Sequence, residues 1–225
     1  MWKCTYCGEV KGQPPEDMKC PRCGMTLGRP EATIEKYEIL REICRLNDYE
    51  LYIDACAGSG KVQLLNGKII DGSALIFVDM VKKKSPSGRC ILIEVHEKTF
   101  RLLSNFCLHP EAELINDDCN KHLLKLVDGK TRTLVFIDPF GFGIPAIRRD
   151  IVLELSKIPN TDLLINFSWR IAREMGYARR YLTCNIDNCP SPTHTSMFIS
   201  SCKDCHNRKR AKSYAQSLDI WWGSN

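Results

Sequence analysis

The stretch Leu51–Gly60, LYIDACAGSG, constrains this chain more than any other: an apolar strand runs into an acid, Asp54, and then into a turn of small residues ending Gly58-Ser59-Gly60. Small residues are needed where backbone passes close to a ligand, and a strand leading into such a turn is the usual platform for a nucleotide-like cofactor. A dinucleotide fingerprint would need three glycines as G-x-G-x-x-G, with its acid roughly 20 residues beyond the loop. Here the acid precedes the glycines. A glycine-rich turn after a strand is also a common structural device, so the rest of the chain must decide.

With 225 residues, 44% apolar and 26% charged, the chain has the size and composition of one α/β domain plus small modules. No apolar run approaches the roughly 18 to 20 residues of a membrane span, and the N-terminus, MWKCTYCGEV, has no basic-then-apolar leader, so a cytoplasmic protein is expected. In that compartment thirteen cysteines point to metal sites rather than disulfides. Eight fall into two groups. Cys44, Cys56, Cys90, Cys107 and Cys119 are left as buried thiols.

The first group is Cys4-x-x-Cys7-Gly and Cys20-Pro-Arg-Cys23-Gly, separated by twelve residues. Each Cys-x-x-Cys makes a knuckle that turns two thiolates onto one ion, and two knuckles close a tetrahedron. Spacing and flanks, with Trp2 before the first knuckle, resemble the rubredoxin-like domain of rubrerythrins. Four thiolates suit zinc or a single iron. Nothing adjacent suggests electron transfer, so a structural zinc is expected, and an iron-loaded redox protein is the alternative that an absorption spectrum would reveal.

From residue 32 the pattern is strands alternating with helices. Ala32–Asp48 carries an apolar helical stripe (Ile34, Tyr37, Leu40, Ile43, Cys44) with no chemistry expected of its own. Asn66-Gly67 marks a hairpin tip. Ser73 is the expected N-cap of the helix that ends in three lysines, where the macrodipole favours them. The buried strand Arg89–Val95 delivers Glu94, placed where a carboxylate can accept ribose hydroxyls, 40 residues after Asp54. After a helix at Glu97–Leu108 and a strand at Ala112–Asn116 comes Asp117-Asp118-Cys119-Asn120, of which Asp118 is favoured to accept an adenine amino group. The strand in RTLVFIDPFGFG delivers Asp138 and Pro139 to its end, a helix is expected over Ile144–Lys157, and TDLLINFS is a fifth strand. Five strands with helical crossovers give a parallel Rossmann-like sheet with helices on both faces.

An acid placed before the glycines is the order found in S-adenosylmethionine (SAM) enzymes. YIDACAGSG, the following GSA, DDCN, VFIDPFG and TDLLINF, in this order, resemble the three-Cys-motif partner proteins, a family assigned as SAM-dependent methyltransferases. The resemblance covers roughly residues 31–169 and returns faintly at LDIWWGS. It implies a class I methyltransferase core in which Asp54, Gly58 and Gly60, with the intervening Ala55, Cys56 and Ala57, hold the methionine end of SAM. Glu94 would hold the ribose, and Asp118 with Cys119 the adenine. Asp138, Pro139 and Phe140 are then the catalytic candidates. Adenine-N6 enzymes carry Asp/Asn-Pro-Pro-aromatic at this place, whereas this chain has Asp138-Pro139-Phe140-Gly141, which leaves the acceptor unassigned. Methyltransferases of this class also finish with an antiparallel hairpin, which the sequence does not show before Asn225, so a truncated chain is one expectation.

In its place stand Cys184-x4-Cys189 and Cys202-x-x-Cys205-His206, again twelve residues apart, expected as a second zinc site with His194 or His206 as substitute ligands. CKDCHNRK resembles the zinc-binding tail of HNH endonucleases but lacks their upstream histidines. CKDCH also matches a c-type haem attachment site, without the export signal such a site needs. The net charge is +5; residues 169–212 hold nine Lys or Arg against three acids, +6, leaving −1 for the remainder. Such a segment is either a solvated face or a surface for RNA or DNA. The expected organisation is a metal module at 1–29, the methyltransferase-like core at 30–183, a zinc-binding insertion at 184–212 and a terminal segment at 213–225. Two functions fit: a SAM-dependent methyltransferase, with a nucleic acid or protein as partner, or a zinc-bearing binding module on a Rossmann core without catalysis.

Overall fold

The computed structural model describes residues 1–15, 17–84, 88–139 and 147–166, which belong to one compact unit. Phe140, the second cysteine group and the basic segment lie outside the described residues.

Two short strands, β1 (Trp2–Lys3) and β2 (Val10–Lys11), pair antiparallel around the first knuckle; β3 (Thr26–Gly28) follows the second. Helix α1 (Pro30–Leu46) starts with proline at its first turn, where a missing N–H costs nothing. Next come β4 (Leu51–Asp54), β5 (Lys61–Leu64), β6 (Ile69–Asp71), α2 (Ser73–Lys84), β7 (Arg89–Ile93), α3 (Glu97–Phe106) and β8 (Ala112–Ile115). A 3₁₀ turn (Cys119–Lys121), α4 (Leu123–Leu126), β9 (Thr133–Ile137), α5 (Arg149–Leu155) and β10 (Thr161–Ile165) complete the described chain.

The main sheet has the order β10-β9-β4-β7-β8 with all four pairings parallel, so β4 is central and the chain winds outward to both sides of it. Alternate residues feed opposite faces, as a period of two requires. Tyr52, Leu92, Leu134 and Phe136 join the stripe of α1 (Tyr37, Leu40, Cys44) and Phe77 of α2 in one core. Ile53, Ile91, Val135 and Ile137 meet Leu123, Ile151 and Leu155 in the other.

The hairpin at Asn66-Gly67 forms as expected: Gly67 has φ +90° and its N–H bonds the Leu64 carbonyl at 2.8 Å. Two expectations need correction. The carbonyl of Gly72, not of Ser73, takes the first helical bond of α2, from Ile76 N–H at 3.1 Å, so Gly72 is the cap and Ser73 lies inside the helix. Of the helix expected at Ile144–Lys157, residues 144–146 lie outside the described residues, and the rest is helical only over Arg149–Leu155.

The Cys4 segment shares a sheet with the core. Strand β3 pairs parallel with β5, the strand that leaves the glycine loop, and β5 pairs with β6. Trp2, Cys4, Cys20, Met25 and Leu27 pack with Leu102 of α3 as a third apolar cluster.

Candidate cofactor crevice and its metal-binding edge

Ligands of doubly wound sheets bind at the C-terminal strand ends. Across that edge, from β10 to β8, stand Asn166, Asp138, Asp54, Glu94 and Asn116, each at or just past the end of its strand. They are linked. Asn166 Nδ2 donates to Asp138 Oδ1 at 2.6 Å, Lys36 of α1 forms an ion pair with Asp138 Oδ2, and Asn116 Nδ2 donates to the Glu94 carbonyl at 2.7 Å.

Asp54 is completely buried. Its Oδ1 accepts the Cys56 N–H at 3.1 Å, and its Oδ2 has no hydrogen-bond partner among the described residues. Burial pushes this carboxyl up to about 7, and the charge of Asp138 adds to the rise; the Ser73 side chain, the Cys56 amide and Lys36 oppose it. Ser73 also meets the hydroxyl of Tyr37, another buried group raised by desolvation.

The amides of the loop divide into two sets. Ala55 N–H bonds the Phe136 carbonyl at 2.9 Å and Ala57 N–H the Ile93 carbonyl at 2.8 Å, so both extend the sheet. Gly58 N–H instead donates to Glu94 Oε2 at 3.1 Å. Glu94, 4% exposed, also receives Lys19 Nζ at 3.1 Å and His96 N–H at 2.8 Å, both on Oε1. A carboxylate offers about four acceptor sites. Three are taken by the chain itself, which leaves Oε2 with room for one more donor.

Beyond β8, Asp118 Oδ1 caps the 3₁₀ turn by accepting Asn120 N–H at 3.0 Å and Asn120 Nδ2 at 2.7 Å. Its neighbour Asp117 is held by Lys121 at 2.7 Å and His122 at 3.0 Å. Cys119 reaches across to Cys56 of the glycine loop; that hydrogen bond, with burial, raises the Cys56 thiol. The loop and the turn after β8 therefore face each other. Pro139 is half-buried beside Asp138.

On the loop's other flank, Cys4, Cys7, Cys20 and Cys23 place their Sγ atoms within 4.8 Å of one another. Cys4–Cys23 is 3.8 Å and Cys7–Cys20 3.6 Å. Sulfurs at about 2.3 Å from a tetrahedral ion lie roughly 3.8 Å apart, so the residues fit a metal ion. The same geometry suits zinc and iron. Among the described residues this is the one such cluster; the one expected at Cys184, Cys189, Cys202 and Cys205 lies outside them.

Sequence reasoning missed Lys19, Lys36 and Asn166. Lys36 lies next to Tyr37 in a helix credited with packing only, and Lys19 looked like knuckle flank. Asn166 was legible in principle: it follows an apolar parallel strand as Asp138 does.

No family model matches the chain, and no curated protein matches it. Among solved structures, it is similar to a "putative caffeoyl-CoA O-methyltransferase" of Staphylococcus aureus, at 11% identity and TM-score 0.42, over 82% of this chain and 71% of that one. It is also similar to a SAM-dependent methyltransferase of Thiobacillus denitrificans in complex with S-adenosyl-L-homocysteine, at 11% identity and TM-score 0.35, over 73% and 58%. The Rossmann-like class rests on strand order and direction. Among the described residues no helix is long and apolar enough to cross a membrane.

Proposed function

We propose that the chain is a SAM-dependent methyltransferase, the activity implied by its resemblance to the three-Cys-motif partner proteins. The observation that carries the reading is Asp54. It is a buried carboxylate at the end of the central strand, beside a glycine turn, and its Oδ2 has no hydrogen-bond partner among the described residues. Evolution tolerates such a group where a ligand supplies the missing partner, and the ammonium of a methionine moiety fits that acceptor. Glu94 Oε2 accepts one ribose hydroxyl, rather than the two the sequence suggests. Asp118, already a cap, keeps its acceptor role toward adenine only through what Asn120 leaves free.

Bound SAM supplies an electrophilic methyl on a sulfonium. The chain's part is to orient it and to receive an acceptor nearby. Asp138, held by Lys36 and Asn166, presents a fixed negative charge that orients a polar acceptor. Each of its oxygens already holds one donor, so a group taken up there would share the carboxylate with Lys36 and Asn166. That engagement favours the second reading, a binding module on the same core without catalysis. The acceptor class, nucleic acid included, belongs to the proposal.

Titration of the full, zinc-loaded chain with S-adenosylhomocysteine in a calorimeter tests the cofactor reading, and labelled-SAM transfer to fractionated RNA, DNA and protein tests catalysis. Absence of S-adenosylhomocysteine binding sinks the first. Binding without transfer to any fraction favours the second reading.

A further inference from the structure

The four thiolates sit on a segment that touches the cofactor loop directly through Thr26. Thr26 N–H donates to Ser59 Oγ at 2.9 Å while Ser59 N–H donates to Thr26 Oγ1 at 3.0 Å, a reciprocal pair between the strand after the second knuckle and the middle of Gly58-Ser59-Gly60. Ser59 Oγ in turn donates to the Lys61 carbonyl at 2.6 Å, and Ser59 is buried. Lys19, adjacent to the ligand Cys20, holds Glu94, which holds the Gly58 amide. Gly24, the residue after the ligand Cys23, has φ +80°, and a Cβ there would come within 2.7 Å of the Thr99 backbone N. Its carbonyl also accepts Thr99 Oγ1 at 3.1 Å. Gly58, φ +62°, leaves no space either: a Cβ would meet Thr26 Oγ1 at 2.9 Å. Glycine thus lets the second knuckle close on α3 and lets the loop close on Thr26, the strand residue that follows the knuckle.

We propose that the Cys4 element is a working part of the cofactor crevice: through Thr26 and Lys19 it positions the glycine loop and Glu94, so that metal at the thiolates and cofactor at the loop each strengthen the other's binding. This deepens the SAM reading and rests on it for the identity of the cofactor. The physical chain is short. Metal closes the second knuckle; the knuckle fixes the start of β3 and the stem of Lys19. These fix Ser59, Gly58 and the one open acceptor of Glu94. Coupling between two binding equilibria is reciprocal by thermodynamic necessity, which makes the proposal testable from either end. Thr26 and Lys19 are positioning residues, since neither is a metal ligand.

The test compares wild type, Thr26→Val and Thr26→Ser as full, zinc-loaded chains. Valine keeps the volume and removes the hydroxyl; serine keeps the hydroxyl. For Thr26→Val, zinc content per chain stays as in wild type, amide hydrogen exchange at residues 58–60 accelerates about tenfold, and S-adenosylhomocysteine affinity falls about tenfold, the loss of one buried hydrogen bond. Thr26→Ser retains both properties. In wild type, saturating S-adenosylhomocysteine slows zinc loss to a chelator, and in Thr26→Val this slowing disappears. Normal exchange at residues 58–60 in Thr26→Val overturns the proposal, as does zinc loss indifferent to a cofactor that binds. If Thr26→Val does not fold, Lys19→Met, which leaves the hydroxyl pair intact, takes its place, with faster exchange of the Gly58 amide expected and unchanged exchange overturning the proposal. Should S-adenosylhomocysteine bind to no variant, the SAM reading fails, while the exchange arm still decides whether the metal element positions the loop.

Discussion

Glu94 and Asp54 end neighbouring parallel strands, both buried, and the chain treats them in opposite ways. Glu94 receives three donors, one of them a lysine from the four-cysteine segment. Asp54 has the Cys56 amide on Oδ1 and the Ser73 side chain nearby, and its Oδ2 has no hydrogen-bond partner among the described residues. One carboxylate is built into the wall; the other is left short of partners at a cost in stability. A carboxylate at the end of a parallel strand is therefore not a function in itself. Its partners on other elements decide, and those are far away in sequence: Lys19 precedes Glu94 by 75 residues.

The largest effect expected from breaking this contrast is on the Glu94 side. Cys20→Ser opens the tetrahedral site, and the metal content per chain falls. The apolar cluster of Trp2, Met25 and Leu27 is shared with Leu102 of α3, and β3 pairs with β5. The loss is therefore transmitted to the core, not confined to residues 1–29. A drop of about 10 °C or more in a single thermal transition is expected, which corresponds to roughly 3 to 5 kcal/mol in a chain of this size. Two separate transitions, with the larger at the wild-type temperature, would show the two sides of the crevice to be independent.

Why the sequence carried one half of this site and not the other follows from the kind of interaction involved. The five strands, their acidic ends and the metal knuckles are local patterns: period-two burial, a glycine turn, two thiolates three residues apart. Asp54, Asp138 and Glu94 were found that way, and so were Cys4, Cys7, Cys20 and Cys23. The partners Lys36 and Lys19 were not, because a lysine on a half-buried helix face or knuckle flank is locally indistinguishable from a solvated one. The consequence falls on chemistry. Asp138 reads from sequence as a catalytic candidate with no partner, whereas Lys36 and Asn166 hold it, and Glu94 reads as open to ribose hydroxyls, whereas three donors already occupy it. Ser73 failed as a cap for a similar reason: Gly72 takes the first helical bond, and the Ser73 side chain acts instead on Tyr37 and Asp54.

The next effect in size concerns that lysine. Lys36→Met leaves Asp138, 6% exposed, without its counter-charge, and removal of one partner from a buried pair costs about 3 to 5 kcal/mol. Adding Asp138→Asn removes the stranded charge and recovers more than half of the loss, so the two changes are strongly non-additive. Urea unfolding of the four proteins in this cycle measures the coupling. Additive effects would mean that the pair does not hold the β9 end of the crevice, and that the difference between its two sides is smaller than the contacts indicate.

The last effect sharpens the contrast through pH. Folding raises Asp54 from an ordinary value of 3.8 to about 7, chiefly by burial. Between those values the folded chain binds more protons at this site than the unfolded chain, so stability falls as pH rises through the window, and the penalty is complete above about pH 7. Three units correspond to roughly 4 kcal/mol at most, at about 1.4 kcal/mol per unit. Asp54→Asn cannot ionise and lacks this slope. Whatever fixed offset the amide introduces, the variant's stability relative to wild type should therefore rise by about 2 to 4 kcal/mol between pH 4 and pH 8, measured by urea unfolding at each pH. S-adenosylhomocysteine affinity of Asp54→Asn should fall about a hundredfold at pH 8, the usual scale for losing one member of a buried charge pair. A pH-independent stability difference would mean that Asp54 is ionised at little cost in the folded chain, and that the crevice has no carboxylate waiting for a cation.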